Sequence, residues 1–157
     1  MNKVIKYILP VFIIFLLFFL IMTNNNKNNV RFYLESKYYN NGNAIKMNSS
    51  ELKKIENDSF LLFTYNSVCG MAKPCEEIFD TVLKEKKLDY ITIPFDEFRK
   101  TKFHDVVKYA PSFIIIKNGN IVAYLDADND SHLKFYQNEE DFASWLEGRV
   151  IFDKKKV

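Results

Sequence analysis

The two cysteines of the 157-residue chain, Cys69 and Cys75, are separated by five residues. Two thiols this close in sequence can form a disulfide, because a flexible loop of this length brings their Cα atoms within the ~4.4–6.8 Å that the bond needs. Closing so short a loop adds only about 2.4 kcal/mol of stability, so stability alone is a weak reason for the pair. The pair instead favours thiol–disulfide exchange, in which a thiolate attacks a disulfide.

The residues on either side of the pair predict the elements that position it. Residues 60–65 form an apolar run typical of a buried strand. After the pair, apolar residues recur at the spacing of an amphipathic helix that begins near Pro74, a residue suited to the first helical turn. We therefore expect the thiols where a core strand leads into a helix N-terminus, which lowers the pKa of a thiol. The apolar positions of this helix are Cys75, Ile78, Phe79, Val82 and Leu83.

The rest of the pattern predicts one α/β domain with a central mixed sheet and the element order β-α-β-α-β-α-β-β-α. Helical segments between the first four strands require crossover connections, and Asn118-Gly119 between two apolar runs predicts an antiparallel hairpin. Residues 126–136 are predicted as a polar loop, with a short strand end at 134–136. The expected strands are 44–47, 60–65, 88–94, 111–117 and 120–125, and the expected helices are 30–39, 51–55, 75–87, 98–109 and 139–150.

Three segments, in this order, resemble the thioredoxin family over residues 44–150. Cys69-Gly70 and Pro74-Cys75 are similar to the two halves of the family's Cys-Gly-Pro-Cys motif, parted by three inserted residues. Ala110-Pro111-Ser112-Phe113 is similar to the segment whose cis proline faces the thiols, and residues 113–122 are similar to the family's hairpin. Val68 and Phe63 stand where the family usually has an aromatic residue and a buried acid. Membrane-anchored thioredoxin-like proteins, including bacteriocin-transport accessory proteins, are the suggested relatives.

The resemblance implies roles for four residues. Cys69 attacks a client disulfide or is attacked by a client thiol, and Cys75 resolves the mixed disulfide. Pro111 shapes the adjacent groove, while the backbone around Ala110 pairs with the extended client chain. The expected partners are client protein thiols or disulfides, and no cofactor is expected. The alternative is a redox-inactive accessory module with a structural disulfide, serving an export system or another membrane assembly.

The N-terminal residues predict a membrane anchor. Residues 4–22 would span roughly 28 Å as a helix, close to the hydrocarbon thickness of a bilayer, and residues 7–22 carry no charge. An uncleaved signal anchor is favoured over a cleaved signal peptide, because no small-residue cleavage site follows the run. We expect a transmembrane anchor at 1–23, a polar linker with a short helix at 24–43, and the folded domain at 44–157 on the extracytoplasmic side of the cell membrane.

Charge and motif content argue against other functions. The 22 basic residues less the two lysines of the N-terminal segment leave 20, equal to the 20 acidic residues, so nothing favours a nucleic-acid partner. No metal site is expected, because His104 and His132 are distant from the cysteines in sequence. Asp126, Asp128 and Asp130 alternate like the start of a calcium loop, but the glycine and closing glutamate of such a loop are missing.

Overall fold

The apolar run at residues 60–65 is the central strand of a five-stranded mixed sheet. The computed structural model describes residues 31–66, 75–126 and 128–153, all within one compact unit, Arg31–Val157. Its strands are β1 (Ala44–Lys46), β2 (Phe60–Tyr65), β3 (Tyr90–Pro94), β4 (Ser112–Lys117) and β5 (Asn120–Leu125). The strand order is β1-β3-β2-β4-β5. β3 is parallel to β1 and β2, whereas β4 is antiparallel to both β2 and β5. The predicted α/β fold with a mixed sheet is confirmed.

The turn between β4 and β5 is the predicted hairpin. Asn118 and Gly119 adopt left-handed backbone conformations, with φ of 48° and 74°. Two successive residues of this kind match the right-handed twist of the flanking strands, which is why Asn-Gly is favoured in tight hairpins.

Helices cover both faces of the sheet. Phe60 and Phe63 are three residues apart on β2, so their side chains point to opposite faces. Phe63 packs against Phe79, with ring centroids 5.2 Å apart, and Phe60 packs against Phe103 at 6.2 Å. All four side chains are buried. The helices are α1 (Ser49–Lys54), α2 (Cys75–Lys86), α3 (Phe95–Phe98), α4 (Leu133–Gln137) and α5 (Glu139–Glu147).

The helix predicted at 30–39 is wrong apart from one short turn, the 3-10 segment Ser36–Tyr38. Residue 30 lies outside the described residues. Phe32 instead runs beside the C-terminal segment, donating its N–H to the carbonyl of Arg149 and accepting from the N–H of Ile151. This pairing keeps the backbone extended. The side chains of Phe32, Leu34 and Tyr38 are therefore buried in the core from an extended segment and not from one face of a helix.

The helix predicted at 98–109 is wrong, because α3 ends at Phe98 and only a 3-10 segment, Lys102–Asp105, lies within that range. The Thr101 side chain donates to the carbonyl of Phe98, which competes with the continuation of the helix. The loop predicted at 126–136 was also wrong at its end, because residues 133–137 form α4 rather than a strand end. The last helix, expected at 139–150, ends at Glu147, since Val150 pairs with Phe32.

Two predicted features fall on residues that the structure does not describe. The apolar run at 4–22 and the residues from Ser67 to Pro74, including Cys69, lie outside the described ranges. Within those ranges, no helix has the length and apolar character needed to cross a bilayer.

Glu97 links α1 to the segment after α3 and should make the fold sensitive to acid. Its carboxylate pairs with Lys100 and accepts from the hydroxyl and N–H of Ser49. These bonds, the one from Lys100 foremost, lower the pKa of Glu97 from 4.5 to about 2. A lowered pKa in the folded state means that the stabilisation is complete above pH 4.5 and is lost as the pH falls towards 2.

Glu97→Gln is therefore expected to destabilise the protein at neutral pH, with the difference from wild type shrinking as the pH falls below 4.5. Urea unfolding midpoints over an acid pH series measure this difference. Glu140→Gln, a change on the exposed surface of α5, is the charge-matched control. A constant difference between Glu97→Gln and wild type down to pH 2 would contradict the assignment.

Candidate functional site

Cys75 is the first residue of α2, the helix that follows the central strand. Its side chain is buried, with 2% of its surface exposed. The first N–H groups of a helix have no partner within the helix, and together with the dipole they favour an anionic sulfur there. Glu76 and Glu77 follow directly on the exposed face and oppose that effect. The position of Cys69, the other predicted thiol, lies outside the described residues.

Ala110 and Pro111 precede β4 and are joined by a cis peptide bond, the form that the resemblance implies. Ser112, the next residue, pairs with Thr64 near the C-terminal end of β2. The chain leaves β2 at this end and later enters α2 at Cys75. Phe79, one turn after Cys75 on α2, contacts Phe113 of β4 with ring centroids 5.0 Å apart, so the first turns of α2 lie near the beginning of β4.

Tyr136 on α4 is a site residue that the sequence did not reveal. Its hydroxyl oxygen lies 2.9 Å from the carbonyl oxygen of Pro111 and 2.8 Å from that of Leu125, and these two acceptors share its one hydrogen. Its ring packs on Phe79, with centroids 5.7 Å apart. Burial, followed by the negative charge of a Cys75 thiolate, raises the pKa of Tyr136 above its ordinary value. Tyr136 thus joins the proline segment to the end of β5.

Two apolar side chains are exposed beside the proline segment. Val106 and Tyr109 have exposed fractions of 53% and 51%. The predicted helix would have placed Val106 on its buried face together with Phe103 and Val107. Only the latter two are buried, because the break at Thr101 changes the direction of the chain. The result is an apolar surface next to Ala110.

The core around Phe63 is aromatic, at a position where the thioredoxin family usually has a buried acid. Phe63 packs edge-on against Phe79 and lies parallel to Tyr65, with centroids 6.0 Å apart. Phe79 also contacts Phe113 and Phe142, at 5.0 and 4.5 Å. The four phenylalanine rings form a tightly packed apolar cluster and carry no group that accepts a proton.

The other residues considered from sequence have local roles. The Nδ1 atom of His132 accepts from the N–H of Asp126 at 3.0 Å, and the Asp126 carboxylate accepts from the N–H of Asp128. The ring of His104 lies against Phe95, with centroids 5.9 Å apart. Each of these contacts shapes its own segment of the chain.

The sheet order and the position of α2 after the central strand define a thioredoxin-like fold. The solved structure of a point mutant of thioredoxin from Halobacterium salinarum supports this class. It has a TM-score of 0.52 and 18% identity over 75% of this chain and 96% of that chain.

Two further thioredoxin structures are similar at lower scores. For Malassezia sympodialis thioredoxin, the TM-score is 0.49 and the identity 13%, over 69% of this chain and 91% of that one. For oxidised thioredoxin from Plasmodium falciparum, the values are 0.45 and 25%, over 64% and 99%. No protein-family model and no curated protein matches the sequence.

Proposed function

We propose that the protein exchanges thiols and disulfides with client proteins through Cys69 and Cys75. The observation that supports this proposal is the position of Cys75 as the first residue of α2, the helix whose Phe79 contacts Phe113 soon after the cis Ala110-Pro111 bond. A thiol at a helix N-terminus is favoured as the reactive anion. The cysteine spacing of the sequence allows Cys69 to reach Cys75.

The exchange takes place in two balanced steps. The Cys69 thiolate attacks a client disulfide, forming a Cys69–client bond and releasing one client thiolate. The Cys75 sulfur then attacks Cys69, the Cys69–client bond breaks, and the second client sulfur leaves with its electron pair and takes up a proton. The pair has become a disulfide, and two electrons have passed to the client. The reverse sequence oxidises a client dithiol.

The segment before β4 forms the proposed client surface. The backbone at Ala110 offers hydrogen bonds to an extended client chain. Val106 and Tyr109, half-exposed on the same segment, offer apolar contact area around the client sulfur. An extended peptide with an apolar side chain next to its cysteine fits this surface best.

We also propose that residues 4–22 anchor the protein in the cell membrane, with the domain on the extracytoplasmic side. The length and apolar character of this run support the proposal. The chain has two cysteines, which can pair with each other and leave no unpaired thiol, and this pattern fits an oxidising compartment. Fractionation of cells that express the full chain tests it. Retention of the protein in alkali-washed membranes is expected, and its release would overturn the anchor.

Trapping of mixed disulfides tests the exchange itself. Cys75→Ser lacks the resolving thiol, so it is expected to accumulate client proteins bound to Cys69 through disulfides that a reductant releases. The matched control, Cys69→Ser, keeps one thiol but lacks the attacking one and is expected to trap none. If neither variant traps a partner and the wild-type pair has a reduction potential below about −300 mV, the disulfide is structural and the protein acts as a binding module.

A further inference from the structure

Ser112, the first residue of β4, bonds through its side chain to the loop that precedes the strand. Its hydroxyl donates to the carbonyl of Tyr109, with 2.7 Å between the two oxygen atoms. Ser112 is fully buried, and its backbone pairs with Thr64 of the central strand. A buried hydroxyl is costly to leave without a partner. The bond therefore attaches the carbonyl of Tyr109 to a rigid position in the sheet.

A second buried hydroxyl lies beside the carbonyl of Pro111. The oxygen of Tyr136 is 2.9 Å from it, so the carbonyls of Tyr109 and Pro111 both face groups inside the protein. Ala110, between them, differs. In the part of the chain that the structure describes, neither its N–H nor its carbonyl has a hydrogen-bond partner. Because Ala110 is also partly exposed, its carbonyl is the one of these three that is left for an incoming chain.

The neighbouring hydroxyl in the sheet has no such bond. Thr64, which pairs with Ser112, is also fully buried, and its Oγ1 atom has no hydrogen-bond partner within the described residues. Two hydroxyls with the same burial thus lie on adjacent strands, and that of Ser112 bonds to the loop. This difference separates a role in positioning the loop from a role in packing the core.

We propose that Ser112 is a positioning residue of the client surface, whose hydroxyl keeps the carbonyl of Tyr109 directed into the protein so that the client chain bonds to Ala110. The inference rests on the proposed exchange and deepens it, because it specifies where an extended client pairs. With its backbone fixed, Tyr109 keeps its half-exposed ring beside that client. Without the hydroxyl, the carbonyl of Tyr109 becomes a competing acceptor, and the loop loses its attachment to the side chain of β4.

The test measures how fast the reduced protein reacts with two disulfides over a range of concentrations. One is carried by an extended peptide, and the other, hydroxyethyl disulfide, has no peptide backbone. In Ser112→Ala, the half-saturating concentration of the peptide is expected to rise about fivefold, because one hydrogen bond is lost. Its limiting rate and the rate with the small disulfide should stay unchanged.

Thr64→Val is the matched control, since it removes a hydroxyl of equal burial from the adjacent strand. It should change none of these values. An unchanged half-saturating concentration in Ser112→Ala would overturn the proposal. So would an equal rise in Thr64→Val, or a loss in Ser112→Ala that is equally large with the small disulfide.

Carbonyl carbon resonances, measured by NMR, separate this inference from the function on which it rests. A peptide with serine in place of its cysteine can bind but cannot exchange. Added to the wild-type protein, it is expected to shift the resonance of Ala110 and to leave those of Tyr109 and Pro111 in place. In Ser112→Ala, it should also shift that of Tyr109.

The wild-type measurement decides the inference even if Ser112→Ala does not fold. A shift at Tyr109 or Pro111, or none at Ala110, would overturn the role of Ser112. A shift confined to Ala110, with no reaction of the wild-type protein with either disulfide, would reject the exchange and keep the position at which the peptide binds.

Discussion

Replacing Phe79 with alanine is expected to lower the free energy of unfolding by about 3–5 kcal/mol. Phe79 is fully buried, and its ring meets those of Phe63, Phe113 and Phe142 at centroid distances of 5.2, 5.0 and 4.5 Å. Deleting it removes the transfer energy of a phenyl group and leaves a cavity that four rigid neighbours, Tyr136 included, cannot fill. Urea unfolding, with an unchanged slope, measures the loss.

Phe152→Ala is the matched control for this change. The same atoms are removed from a half-buried side chain near Lys86, at the opposite end of α2, and the expected loss is about 1 kcal/mol. The comparison matters for function because Phe79 supports both Cys75 and Tyr136. Phe79→Ala should therefore also slow client exchange under conditions in which it is still folded. Equal losses in the two variants would contradict the central position of Phe79 in the core.

The strands, the hairpin and the helix of Cys75 could be predicted because each is encoded locally. The apolar residues of 60–65 need no partner to favour a strand, and Asn118-Gly119 determines its turn by its own backbone preference. The helix from Cys75 shows a regular apolar period through Leu83. Such features keep their form whatever they pack against. The order of these elements also places the first turns of α2 near the beginning of β4.

The other half of the site is determined by contacts between distant segments. Tyr136 lies in a helix of five residues, too short to show a regular apolar period, and its burial is explained by its bonds to Pro111 and Leu125 and its contact with Phe79. The exposure of Val106 depends on a break in the helix at Thr101. There the Thr101 hydroxyl donates to the carbonyl of Phe98, which would accept from a backbone N–H if the helix continued. Neither contact produces a periodic pattern of apolar residues in the sequence. The roles of Cys75 and Pro111 stay predictions from the sequence, whereas nothing in the sequence indicated Tyr136, whose hydroxyl bonds to the carbonyl of Pro111.

The helix that carries Cys75 is held from its far end as well. It has 12 residues, about 18 Å at 1.5 Å per residue. Asp80, on this helix, accepts from the Tyr90 hydroxyl of β3. The turn before β1 lies against its last residues, and the buried carboxylate of Asp89 shapes that turn by accepting from the N–H groups of Asn41 and Asn43. The position of the thiol therefore depends on contacts remote from it.

Gly42→Ala is expected to destabilise the protein by about 3 kcal/mol or more. Gly42 has a φ of 76°, a conformation that alanine adopts only with strain, and an added Cβ would lie 2.5 Å from the carbonyl oxygen of Leu83 and 2.6 Å from the nitrogen of Lys84. Both atoms belong to the backbone of α2, so no side-chain rotation relieves the clash. The turn or the helix must move. Urea unfolding measures the loss, and slower client exchange is expected to accompany it.

Gly148→Ala separates this steric effect from the general effect of replacing glycine. Gly148 ends α5 with a φ of −64°, and the nearest atoms to an added Cβ are 3.7 Å away. The change should be tolerated to within about 1 kcal/mol, because alanine adopts this conformation freely and restricts the unfolded chain. Equal stability of the two variants would contradict the close approach of the turn to α2. A large loss confined to Gly42→Ala would mean that the backbone contact at the far end of α2 helps to fix the helix on which Cys75 lies.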